Sequence, residues 1–246
     1  MSDVITHQGL PPLPPALAAA FGAATTGGGK RERTRHALVR AAVQVFCARG
    51  VAAATIQEVA QVAGMTAGTV YNHFESKEAL LERVAVVLAE SLCRAIGESS
   101  AGVADGAERV AIGQRRYVQL AAESPAWALL LLDVAGANPT LVRTIEHYPL
   151  ADLRLAVKQK RLKAPTEAVA LDLLHGVCTQ AMRRVAFGGA PPRHDVAVAT
   201  VVLRALGMDD AAATEVARRP LPELPVPETD GGGPAVRKRV SAHLSG

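Results

Sequence analysis

The sequence predicts an all-α protein, and three observations carry that prediction. Apolar residues make up 49% of the 246, yet only 3% are aromatic. A chain rich in alanine, leucine and arginine leans toward helix, because these side chains lose little rotamer freedom there. Apolar positions recur at i, i+3, i+4 and i+7 rather than at every second residue. Helix punctuation (Ser, Thr, Asp or Asn before a periodic run, proline at its first position, glycine after its end) returns along the chain while strand signals are missing.

The elements follow in order. Residues 1–30 are read as a flexible arm: they carry prolines, few charges and a closing Thr25-Thr26-Gly27-Gly28-Gly29 run. Leu38, Ala41, Ala42, Val45 and Phe46 form one stripe of a helix from about Arg31 to Arg49, which Gly50 closes. Thr55-x-x-Glu58 is a capping box opening a second helix, in which hydroxyl and carboxylate each satisfy an orphan amide. Thr66 caps a short helix through His73, and Ser76 a long one from Lys77 to about Glu98. Asp105–Ala122 is the next helix; Ser124-Pro125 and Asn138-Pro139 each place a cap before a first-turn proline. Pro149 predicts a break near Tyr148. Thr166 starts a helix to about Phe187, and Asp195 precedes a final one, Val196–Leu206, stopped by Gly207. Residues 209–246 are read as a Pro/Gly-rich tail with the basic cluster Arg237-Lys238-Arg239.

Composition excludes several classes. Cys47, Cys93 and Cys178 are too few and too scattered for a disulfide scaffold or a Cys/His metal site, and they fit a reducing, cytoplasmic setting. No apolar run is long enough for a membrane span, and no metal or other cofactor is expected. An enzyme is disfavoured. Gly27-Gly28-Gly29-Lys30-Arg31 lacks the first glycine and the hydroxyl residue of a phosphate loop, and Gly97-Glu98-Ser99-Ser100-Ala101 lacks the closing glycine of a nucleophile elbow. The net charge of +4 is concentrated: residues 30–40 alone carry +4.

The second and third helices have helix-turn-helix spacing. Ala60 is small where two backbones approach, Gly64 supplies the positive φ of the turn, and Val70 anchors the short helix in the core. The stretch from Thr55 to Leu81, with Ala41-Ala42, Val45-Phe46 and Arg49-Gly50 before it, resembles the signature of TetR-family transcriptional regulators over residues 31–84. The resemblance implies an N-terminal three-helix helix-turn-helix DNA-binding domain, 31–83, followed by a helical effector-binding and dimerisation domain, 84–208. It implies a homodimeric repressor on a palindromic double-stranded operator, released by a small, largely apolar effector.

It also nominates residues. Thr66, Gly68, Thr69, Asn72 and His73 lie on or beside the exposed side of the recognition helix, where hydroxyl and amide groups reach bases or phosphates. Tyr71 and Lys77 match positions that touch phosphate; Thr55 could offer its backbone amide to the same strand. Arg33, within the basic helix start, joins them. Thr55 and Thr66 are equally explained as caps, and Tyr71 as a shield over the small core. Effector candidates are Tyr117, Trp127, Leu131 and the neighbouring pair His147 and Tyr148. His175, Cys178 and Met182 join them at i, i+3, i+7 on one helix face. Dimer packing is expected along Val169, Leu173, Val177, Ala181 and Val185, and along Val198, Val201, Val202 and Ala205. Two alternatives stay open: control by a protein partner or by oligomerisation, and, remotely, a helical enzyme.

Overall fold

A computed structural model of the chain describes residues 9–225, and among them there is no strand. The order is α1 Pro15–Ala24, α2 Lys30–Arg49, α3 Ile56–Val62, α4 Ala67–Tyr71, α5 Lys77–Ser99 and α6 Gly106–Glu123. It continues with α7 Pro125–Ala137, α8 Pro139–Ile145, α9 His147–Lys158, α10 Glu167–Ala186, α11 His194–Ala205 and α12 Asp210–Arg218. The local chemistry that starts most of these helices is the chemistry read from the sequence; Ser124 is the exception, since Pro125 takes the first position of α7 but the Ser124 hydroxyl makes no bond to its first turn. Thr55, Thr66, Ser76, Asp105, Asn138 and Thr166 each accept a backbone N–H of the first turn through the side chain. The break beside Pro149 falls at Glu146, which leaves the proline in the first turn of α9, where its missing N–H is harmless.

Two segments differ from the sequence reading. The first is the expected arm: its described part, from Gly9, is tied down, and residues 15–24 form α1 with Leu17 and Phe21 buried. Leu10 N donates to Phe46 O at 3.0 Å, and Pro11 O accepts the indole N–H of Trp127 at 2.7 Å. Arg94 donates to Ala20 O at 3.2 Å, and Arg40 donates to Thr25 O. The segment is therefore a strap running from α2 across α5 to α7. Ten residues would not hold a helix alone in water; the burial of Leu17 and Phe21 holds this one.

The second is the expected tail. Asp209 caps α12, accepting Ala212 N at 3.0 Å, and Ala213, Val216 and Ala217 are buried. Arg219, just beyond, bonds Glu108 of α6 at 2.5 Å and Glu215 at 2.9 Å, locking the helix down. Residues 226–246, with Arg237-Lys238-Arg239, and residues 1–8 lie outside the described residues.

The interior has two main apolar cores with α6 between them. Ile112, Leu120 and Ala121 face the first core, shared with α1–α5, α7, α8 and, through Cys178 and Met182, α10. Ala107, Val110 and Ala111 face the second, shared with α9–α12. Gly106 opens α6 where a methyl group would overlap the Ala156 backbone nitrogen, so α6 and α9 meet backbone to backbone. Residues 83 and 84 lie inside α5, and the first core runs unbroken past them through Leu80, Val84, Val87, Leu88 and Leu92.

Candidate nucleic-acid interface and interior cavity

The turn between α3 and α4 is built as its residues dictate. Gly64 adopts φ +66°, and Met65 N donates back to Ala60 O at 2.9 Å, closing the end of α3. Ala60 and Val59 are buried beneath it, and Val70 and Phe74 pin α4 to the first core. Arg35 lies 5.2 Å over the Phe74 ring. The opposite face of α4 is open: Gly68, Tyr71 and Asn72 are exposed, with Tyr71 at 53%, and Thr69 and His73 are half-buried. Thr66 and Thr69 share a hydroxyl–hydroxyl bond of 3.0 Å, and the Thr66 hydroxyl also accepts Thr69 N. Arg33 is exposed, its guanidinium donating to Gly28 O at 2.7 Å.

Two nominated residues have their polar groups engaged inside the protein. Thr55 N donates to Glu58 Oε2 at 3.0 Å, so the amide offered to DNA is the one the capping box consumes. The hydroxyl and amide of Thr55 in turn hold the Glu58 carboxyl below its ordinary value. Lys77 Nζ donates to Val51 O, Ala52 O and Ala54 O at 3.2, 3.1 and 3.2 Å. An ammonium has three N–H donors, and here all three face the turn between α2 and α3.

Between α5, α6, α7, α8 and α10 lies an apolar cavity of about 130 Å³. Tyr117, Leu131, His175, Cys178 and Met182 line it as the sequence suggests. Ala89, Leu132, Ala135, Leu141, Ile145 and Thr179 line it as well and escaped that reading; Ala135 shares a helix face with Leu131, and Thr179 with His175, at i+4. Burial holds the His175 imidazole below the ordinary histidine value, so the ring meets the cavity uncharged at neutral pH. Burial drives the Cys178 thiol up to about 12, and that thiol stays protonated. Trp127 lies outside the cavity. It is wholly buried in the core and spends its N–H on the strap. His147 and Tyr148 border a separate space instead.

The apolar stripes of α10 and α11 divide. Ala181, Val198 and Val202 are buried within the chain, while Val169 and Val201 are more than half exposed, as is Phe187 at the end of α10.

This architecture has known counterparts. Residues 38–84 match the model of bacterial regulatory proteins of the tetR family, and residues 105–219 match the tetracyclin repressor-like C-terminal domain. The chain belongs to the TetR family. Proteins of this family are DNA-binding transcriptional regulators. Among curated relatives, the HTH-type transcriptional regulator SrpR of Pseudomonas putida is 45% identical over 53 residues, 22% of this chain and 25% of that protein. The regulator TcmR of Streptomyces glaucescens is 27% identical over 148 residues, 58% of this chain and 64% of that one. The match thus spans a quarter of one relative and less than two thirds of the other. A solved structure, RolR in complex with resorcinol, superposes with a TM-score of 0.68 at 29% identity, covering 80% of this chain and 98% of that one. TetR-family proteins are in general regulators rather than enzymes. No described helix is long and apolar enough to cross a membrane.

Proposed function

We propose that this TetR-family regulator is a homodimeric repressor that leaves its operator when a small, largely apolar molecule occupies the cavity among α5, α6, α7, α8 and α10. One observation carries the reading: Ala89 of the cavity wall stands on α5, whose first residue, Lys77, holds the turn ahead of the helix-turn-helix. A ligand that favours one tilt of α5 would shift the population toward one spacing of the recognition helices. Coupling of about 1–3 kcal/mol is enough for effective release. A cavity of about 130 Å³ has the scale of a single aromatic ring, and RolR, similar over most of its length, is known with resorcinol bound.

DNA contact is assigned to the open face of α4, through Thr66, Gly68, Thr69, Tyr71, Asn72 and His73, with Arg33 on the backbone nearby. Tyr71→Ala should lower affinity for an operator selected from random DNA by at least about tenfold, ~1.4 kcal/mol, with an unchanged melting temperature. Gel-shift titration beside a thermal melt checks this; undiminished binding would move the interface off α4. Two recognition helices about 34 Å apart address successive major grooves, which calls for a dimer. The exposed Val169 and Val201 on adjacent helices supply an apolar face for one. Val201→Glu should halve the solution mass measured by light scattering while helix content stays constant. A retained two-subunit mass would place the dimer interface elsewhere.

A further inference from the structure

A second cavity, of about 250 Å³, adjoins the first; Tyr117 and Pro149 belong to the walls of both. The two differ in chemistry. The first is apolar, whereas the second is bordered by Arg109 of α6 and by His147, Tyr148 and Asp152 of α9. Arg109 Nη1 stands 3.5 Å from Asp152 Oδ1, and both side chains are about four-fifths buried. Arg109 Nε is committed to Ser100 O at 3.2 Å. Among the described residues no group within hydrogen-bond geometry donates to the Asp152 carboxylate. Burial, only partly offset by Arg109, drives that carboxyl above its ordinary value. The carboxylate borders the cavity rather than lying sealed in the core, so a donor that enters the cavity can reach it.

From this juxtaposition we infer that the effector is a neutral, hydroxylated aromatic molecule whose ring fills the apolar cavity and whose hydroxyl reaches past Tyr117 to Asp152 and Arg109. This rests on the apolar cavity being the effector site. A hydroxyl both donates and accepts, so it can give its proton to the Asp152 carboxylate and take an N–H from Arg109. A carboxylate head would meet Asp152 as a like charge, and an ammonium would meet Arg109. The Tyr117 phenol stands between the spaces, its oxygen 2.6 Å from Cys93 Sγ, and forms a polar step on the shared wall. A site built to bond a hydroxyl discriminates strongly against analogues that lack it, because its own polar groups are then left without partners.

The test is calorimetric titration of the full-length protein with a matched series: 4-propylphenol, its methyl ether, 4-propylbenzoate, 4-propylbenzylamine and propylbenzene. The phenol should bind at least tenfold more tightly than each of the others. Asp152→Leu, which offers no acceptor, should erase that preference while propylbenzene binds as before. Arg109→Gln provides a second variant, expected to weaken the phenol alone, should the first fold poorly. Equal binding of phenol and propylbenzene to the wild type overturns the inference, as does a phenol preference that survives both substitutions. If propylbenzene itself fails to bind, the apolar cavity is not a ligand site, and the effector reading falls with the inference.

Discussion

Replacing Lys77 with methionine is expected to lower the unfolding free energy by about 2–4 kcal/mol and to weaken operator binding with it. The ammonium makes three bonds of 3.1–3.2 Å to the carbonyls of Val51, Ala52 and Ala54. Those carbonyls follow the end of α2, where the aligned peptide dipoles leave partial negative charge. A hydrogen bond to a charged donor contributes about 1.5–3 kcal/mol; Ala52 is exposed and recovers part of its loss from water, which keeps the total near the value of one or two such bonds. For a chain of this size the melting temperature should fall by about 5–10 °C. The turn sets the angle between α2 and α3, so the helix-turn-helix would loosen and DNA affinity would drop. A role in touching phosphate makes the opposite forecast: an unchanged melt, and a plot of log affinity against log salt shallower by about one unit. Thermal melts and salt titrations on the same variant separate the two. An unaltered melting temperature with a shallower slope would return the ammonium to the DNA.

That residue also shows what the sequence could and could not convey. Capping is chemistry between near neighbours, so Thr55, Thr66, Ser76, Asp105 and Thr166 announced their helices without any knowledge of the fold. The role of Lys77 depends on carbonyls more than twenty residues away, which no local pattern reports. The same divide runs through the cavity. His175, Cys178 and Met182 were legible as one helix face, but a cavity exists where side chains on several helices stop short of one another. Ala89, Leu141 and Ile145 are ordinary apolar residues until their opposite wall is known. Trp127 erred the other way: a large ring near an expected pocket is equally a core residue, and its indole N–H found a strap carbonyl instead. α1 and α12 were missed because short Ala-rich segments are marginal helices alone. The Asp209 cap and the Ala213–Val216–Ala217 spacing were nevertheless in plain view.

The strap gives the other large effect. Phe21→Ala should cost about 3–5 kcal/mol, since it empties a nearly fully buried aromatic site. The loss should not stay within α1. Phe21 and Leu17 sit in the same core as Leu88 and Leu92 of α5 and Trp127 of α7, so weakening α1 loosens what the connecting helix leans on. Its polar ties go with it: Arg40 and Arg94 donate to carbonyls of Thr25 and Ala20, and Arg94 would keep only its partly exposed pairing with Glu98 at 3.9 Å. Trp127 is the sole tryptophan and its N–H is bonded to Pro11 O at 2.7 Å, so its fluorescence reads the strap directly. In Phe21→Ala the emission should shift to the red at temperatures below the main unfolding transition, as the indole gains water before the helices melt. In the wild type the shift and the loss of helix should coincide. Coincident transitions and an undiminished melting temperature in the variant would mean that α1 rests on the protein without holding it together.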